Sequence, residues 1–260
     1  MRYLQSLCLA LGIQAVLATF ALASELGTTW KQTHTIPAPE AKQAAAADER
    51  FVYAITNDVV AKYDRQTGNR LATSTGDAEH LNSGFLWNGR LYCAHSNFPK
   101  QPERSQIFVL DLDRMQLSSF KDFGNFGGSL TWAVRKGDHW WCNFALYGSN
   151  NSQTFLVEFD SEWKELGRWT YPTEVVRKIG GASLSGGIWD GDSLLVTDHD
   201  HPVLYRLHVP KASGVLEFIE SQPAPITGQG IAFDPVTKGL IGIHRAERRV
   251  VFMERAVPTK

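Results

Sequence analysis

The 260-residue chain carries 26 Lys and Arg against 27 Asp and Glu, a formal net charge of −1, and its basic residues never form a run. That balance removes the electrostatic case for nucleic acid or an anionic membrane surface as a partner. With 22 glycines, eight tryptophans and few helical periodicities, the composition points to strands and tight turns.

In chain order the first element is an address. Met1 and Arg2 precede an uncharged apolar run from Leu7 to Ala23, and Ala21-Leu22-Ala23 supplies small residues for a cleavage site. Residues 1–24 are therefore expected to be a signal peptide, with a retained anchor as the competing reading. Residues 25–260 are then one exported domain, secreted or periplasmic, without membrane contact after cleavage. It is expected to be monomeric.

Next comes Thr29 to Ile36, a segment of strand composition with no partner nearby. Five repeats follow, each an apolar strand, a polar turn, a second apolar strand, and an apolar hairpin. The turns are Asp48-Glu49-Arg50, Asn88-Gly89, Lys136-Gly137-Asp138, Asp190-Gly191-Asp192 and Asp234 to Gly239; Asn-Gly and Asp-Gly provide the positive φ that tight hairpins need. Tyr53 to Thr56, Tyr92 to His95, Trp141 to Phe144, Leu195 to Asp198 and Ile241 to His244 align after those turns. A period of about 48 residues fits four-stranded propeller blades. The fold class is all-β, a five-bladed β-propeller.

The last repeat ends too early for a fourth strand, and a ring must close to remove its sheet edges. Thr29 to Ile36 is thus expected to be the outer strand of the last blade. Thr173 to Ile179 is the one good helical candidate, too short to recur between parallel strands. Cys93 and Cys142 fall at equivalent positions of neighbouring blades, so their side chains point the same way around the ring and should stay unpaired.

The repeat register also assembles a candidate site. Inner-strand positions Gln43, Asn82, Trp132 and Gln229, with Asn97 in the long Asn97 to Ser105 connection, are expected to bind substrate at one mouth of the axis. His95, His244 and Arg245 end second strands there and are the candidate catalytic residues, histidine acting as a general base and arginine holding a carboxylate. His80, His95, His199 and His244 are candidate ligands of a divalent metal ion, since neutral imidazole is the commonest protein metal ligand. No motif calls for a nucleotide cofactor. Trp87 and Trp189 are expected to pack between blades, and His139 and His208 to lie on turns or outer strands without a function.

His80-Leu-Asn-Ser-Gly84, Leu91-Tyr-Cys-Ala-His-Ser-Asn97 and Gly228-Gln-Gly-Ile-Ala-Phe-Asp234 resemble a family of exported bacterial propellers often labelled cycloisomerase. The resemblance covers nearly all of the mature chain and implies a five-bladed propeller with isomerase or lyase chemistry. Gln229, His95, His199 and His244 are also similar in type to the metal ligands of oligogalacturonate lyases, a looser analogy across different blade numbers. The expected function is an exported enzyme acting on a small carboxylated or sugar-like molecule at the axial pocket. The alternative is a non-catalytic propeller that binds a glycan or a protein.

Overall fold

The computed structural model describes residues 28–256, so the expected signal peptide lies outside the described residues. Strand β1 (Trp30–Pro37) comes first. Blade 1 follows as β2 (Ala44–Ala47), β3 (Phe51–Ile55), β4 (Val60–Asp64) and β5 (Arg70–Thr73). Blade 2 is β6 (Leu81–Trp87), β7 (Arg90–Ser96), β8 (Ser105–Asp111) and β9 (Gln116–Gly124). Blade 3 is β10 (Ser129–Lys136), β11 (His139–Ala145), β12 (Phe155–Phe159) and β13 (Glu165–Thr170). Helix α1 (Thr173–Ile179) leads into blade 4, made of β14 (Gly187–Asp190), β15 (Ser193–Thr197) and β16 (Val203–His208). Between β16 and the last strand of that blade, the short β17 (Gly214–Val215) turns back to pair in parallel with β13, and β18 (Glu217–Pro223) completes the sheet. Blade 5 is β19 (Ala232–Phe233), β20 (Leu240–His244) and β21 (Arg249–Arg255), with β1 as its outer strand.

The five sheets form a five-bladed β-propeller, as the repeat predicts. Inner strands β2, β6, β10, β14 and β19 contact one another in that order, and β19 returns to β2. Closure uses the N-terminal strand: β1 pairs antiparallel with β21, Trp30 opposite Arg255 and Pro37 opposite Arg249. Trp30 does more than fill this sheet. Its indole Nε1 donates to Gln222 Oε1 of blade 4 at 2.9 Å, and its ring packs with Ile188, Leu204, Leu240 and Met253.

Blades taper toward the axis, so residues there must be small or paired large-to-small. Inner strand β2 is four alanines, all buried. The ring of Trp132 on β10 lies against Gly187 on β14, where an added Cβ would sit 2.6 Å from the indole. Around the rim, partly buried ion pairs stitch blades together. Arg65 of blade 1 meets Asp234 of blade 5 at 2.6 Å, and Asp190 of blade 4 binds both Arg206 and, from blade 5, Arg255.

Cys93 and Cys142 are buried and, among the described residues, unpaired. Cys93 packs in the cluster facing blade 1 and Cys142 in the cluster between blades 2 and 3. Burial pushes the Cys93 thiol up to about 12 and raises that of Cys142 as well, so neither is a thiolate at neutral pH.

Two neighbouring tryptophans divide blade 3. Trp140 points toward blade 2 and Trp141 toward blade 4, because successive strand residues face opposite sides. Trp87 and Trp189 pack between blades as expected, and approach blade 3 from opposite sides. Trp87 flanks its turn directly, whereas Asp190 separates Trp189 from its own.

Removing the closing tryptophan tests how the ring is held. Trp30→Ala is expected to cost about 3 kcal/mol, lowering the thermal midpoint by roughly 6–12 °C for a domain of this size. A drop under about 2 °C in a thermal melt would show that closure rests on something other than Trp30.

Candidate functional site

The end of the ring at which inner strands begin and second strands finish is called the upper mouth. Second-strand ends bring Thr56, His95, Ala145, Thr197 and His244 to it, and the connections entering inner strands bring Gln43, His80, Ser183 and Gln229. The longer connections rise above it, one carrying Phe98 and the other Tyr147, whose rings pack with centroids 4.5 Å apart.

Two histidines lie together in the seam between blades 1 and 2. His95 is buried, tilted against Phe108 at 4.5 Å, and its Nε2 accepts the backbone N–H of Glu79 at 3.0 Å. The remaining Nδ1 must then carry the proton of the neutral ring, and that N–H is buried without a partner among the described residues. His80 sits half-buried above, its Nδ1 3.2 Å from the Phe98 carbonyl. A carbonyl can only accept, so Nδ1 holds the proton and Nε2 keeps its lone pair.

Both rings are held neutral. Burial pulls His95 down to about 4. Burial also lowers His80, outweighing the hydrogen bonds with the Phe98 carbonyl and Asn82 that raise it, and the positive charge of Arg245 adds a smaller downward pull. Arg245 belongs to blade 5, so its charge reaches past blade 1 to His80. Its backbone N–H donates to Thr227 Oγ1 at 2.9 Å. Among the described residues its guanidinium has no carboxylate within 4.0 Å. Arg245 lines a cavity of about 400 Å³ with Asp200, Thr227, Ala246 and Arg248.

The other expected site residues do different work. His199 Nδ1 lies 2.8 Å from Asp200 Oδ2 on its own loop, too poorly aligned for a hydrogen bond. His244 Nδ1 accepts the N–H of Glu247 at 3.4 Å within its own hairpin. Among the described residues no three His, Cys, Asp or Glu side chains gather in a way that could hold an ion. The expected metal set of His80, His95, His199 and His244 is therefore not assembled among the described residues: His199 and His244 turn to partners in their own connections, and His80 and His95 each turn to the other's. The same geometry corrects the roles of His95 and His244 as bases: the Nε2 lone pair of His95 and the Nδ1 lone pair of His244 already accept backbone amides.

Most of the expected substrate-binding residues are scaffold ties. Gln43 donates to Asn57 Oδ1 at 2.5 Å, Asn82 to the Leu130 carbonyl of blade 3 at 2.8 Å, and Gln229 to the His199 carbonyl of blade 4 at 2.9 Å. Asn97 clamps its own loop through Pro102 and Arg104. Trp132 is fully buried against Gly187, so it offers no ring face to a ligand. Register locates such residues near the axis but not the depth at which each side chain ends.

Sequence reasoning missed Tyr147, Thr227 and Arg248. Tyr147 has its phenol pushed up by burial, against the hydroxyls of Ser129 and Ser183 that pull it down. Its long connection was visible in the sequence. Thr227 and Arg248 stand in short connections that carry no motif.

No protein-family model matches the chain, and no curated protein matches it. Among solved structures, a glutaminyl cyclase of Myxococcus xanthus superposes with a TM-score of 0.62 at 9% identity, over 89% of this chain and 98% of that chain. A chain of a mitotic checkpoint complex gives 0.48 at 12% identity, over 96% and 99%. An extracellular domain of a hybrid two-component system from B. thetaiotaomicron gives 0.45 at 11%, over 76% and 24%. The first is an enzyme with the same propeller arrangement, and at that identity the likeness is one of fold. Among the described residues no helix is long and apolar enough to cross a membrane.

The buried imidazole sets a pH dependence. The unfolded chain binds a proton at His95 below about 6.5, whereas the folded protein resists until about 4. Stability is therefore full above that upper value and falls as pH drops through the window, by about 3 kcal/mol in total. Denaturant titrations from pH 7 to 4 should show this loss in the parent and not in His95→Gln. Parallel profiles for the two proteins would contradict the assignment.

Proposed function

We propose that this propeller is an exported enzyme that acts on a small carboxylated molecule at its upper mouth, by lyase or isomerase chemistry. What carries the proposal is Arg245, a guanidinium with no carboxylate partner among the described residues, whose positive charge reaches His80, an imidazole that burial holds below the ordinary histidine range. An arginine in that setting matches a carboxylate in charge and in its planar, forked geometry. The neighbouring rings add no competing positive charge at neutral pH.

The three groups divide the work. Arg245 holds the substrate carboxylate, and His80 offers a lone pair on Nε2 while the Phe98 carbonyl fixes its orientation. In the step this reading implies, His80 takes a proton from the carbon beside the carboxylate. The electron pair moves onto the carboxylate oxygens, where Arg245 balances the growing charge. In an isomerase the proton returns to another carbon; in a lyase a leaving group departs from the adjacent one. His95 steadies the backbone at Glu79, and its orphaned Nδ1–H is a donor that local movement would bring to an oxygen. The glutaminyl cyclase supports the enzymatic reading by showing an enzyme on this fold, and places glutaminyl peptides among the compounds worth assaying.

The test uses the mature protein in D₂O with a panel of small carboxylates, uronic acids, lactone acids and glutaminyl peptides, followed by proton NMR. A substrate should lose its signal beside the carboxylate as deuterium enters. His80→Gln should slow that exchange at least 100-fold with little change in KM, and Arg245→Ala should raise KM at least 10-fold. Binding or turnover that is indifferent to Arg245→Ala would contradict the proposal, as would a panel with no ligand among the carboxylates.

A further inference from the structure

The second feature lies at the opposite end of the ring and is independent of the upper mouth. Blade 3 is flanked by two aromatic seams built on one plan. Toward blade 2, Trp140 stacks on Trp163 with centroids 5.3 Å apart, takes the edge of Trp87 at 6.0 Å, and Arg135 lies 4.0 Å over Trp87. Toward blade 4, Trp141 stacks on Trp169 at 5.3 Å, takes the edge of Trp189 at 4.9 Å, and Lys136 lies 4.1 Å over Trp189. The first seam is filled by Phe120, which packs on Tyr92, Trp140 and Trp163. The second is open, with a cavity of about 530 Å³ over its indoles.

We propose that this underside cleft between blades 3 and 4 binds a neutral oligosaccharide. Its volume is that of a small-ligand site. Its floor is aromatic: Trp141 and Trp169 are buried beneath Trp189, the half-buried indole whose face suits the C–H face of a sugar ring. Its rim is polar: His139 Nδ1 donates to Glu158 Oε1 at 2.7 Å, and Lys136 Nζ lies 3.0 Å from Asp192 Oδ1. Lys136 and Lys211 balance Glu158 and Asp192 among the lining residues, so the cleft selects for neither ionic sign. A hydroxyl-rich molecule with one apolar face satisfies both surfaces; a carboxylate or a quaternary ammonium satisfies only half of the rim.

Access to the indole face is controlled by a surface pair. The Asp192 side chain is fully exposed and that of Lys136 more than one third so, and such pairs hold weakly in water. A sugar ring competes for the face of Trp189 as Lys136 swings aside, which frees Asp192 to accept hydroxyls. Trp189 Nε1 is buried without a partner among the described residues.

The protein labelled with ¹⁵N at tryptophan is titrated with cellohexaose, maltohexaose, xylohexaose and chitohexaose, alongside choline and hexagalacturonate. At least one neutral hexasaccharide should shift the indole resonances of Trp141, Trp169 and Trp189 and saturate, leaving those of Trp30, Trp87 and Trp132 in place. Trp189→Ala and Glu158→Gln, both checked for an unchanged circular dichroism spectrum, should weaken that binding at least 10-fold. Arg245→Ala should leave it unaltered, which separates this site from the upper mouth. The proposal is overturned if no neutral probe shifts the three indoles at 10 mM. It also falls if choline or hexagalacturonate shifts them in place of the neutral sugars, or if the folded Glu158→Gln protein binds as the parent does.

Discussion

Pairing of β1 with β21 is the contact on which the remaining architecture depends. A four-stranded blade has two faces and two edges, and cannot bury enough apolar surface alone. Stacked in a ring, each blade covers its neighbours' faces, but only if the first and last blades meet. The chain solves this by lending its first strand to its last sheet, so separation of the ends requires breaking a ladder and withdrawing Trp30 from the pocket beside Gln222. The ring then behaves as one unit, and connections at either end are held on a rigid support.

That rigidity explains the character of the two ends. At the upper mouth, second strands finish in polar residues whose side chains are spent on connections between blades. Asn82 reaches blade 3, Gln229 reaches blade 4, and the His95 ring props the chain entering blade 2. Satisfying these buried groups removes them from chemistry. Arg245, His80 and the orphaned Nδ1 of His95 retain unused capacity, and all three are tied to the same mouth. At the underside, tight turns leave little polar structure, and the seams are finished by tryptophans. The difference between a filled seam and an open one comes down to phenylalanines on β9, which have no counterpart toward blade 4.

The ring was legible in the sequence because its signal repeats. Five strand–turn–strand units, an orphan strand at the start and a missing strand at the end define both blade number and closure, and the equivalent positions of Cys93 and Cys142 exclude a bond between them. The helix at Thr173–Ile179 was legible too. The site was legible only in its placement. A period of about 48 residues says which side chains reach the mouth, but tautomers and partners depend on neighbouring blades that no local pattern encodes. His95 reads as a base until Glu79 N–H is found on its Nε2, and Trp132 reads as a platform until Gly187 is found against its face. The underside cleft was hidden by a one-residue difference beside a turn, which sends Trp189 toward blade 3 rather than away from it.

Two imidazoles at the upper mouth are neutral and each in a fixed tautomer, and one of them, His80, feels the charge of an arginine that has no carboxylate partner among the described residues. Histidine-selective ¹⁵N spectra recorded from pH 8 to pH 4.5 test this most directly. His80 and His95 should both show a protonated Nδ1 and an unprotonated Nε2, His95 should remain mostly neutral at the lowest pH, and His80 should titrate below the ordinary histidine range. Mutating Arg245 to alanine should move the His80 titration upward. Rings that exchange between tautomers and titrate together near 6.5, unmoved by loss of Arg245, would contradict it.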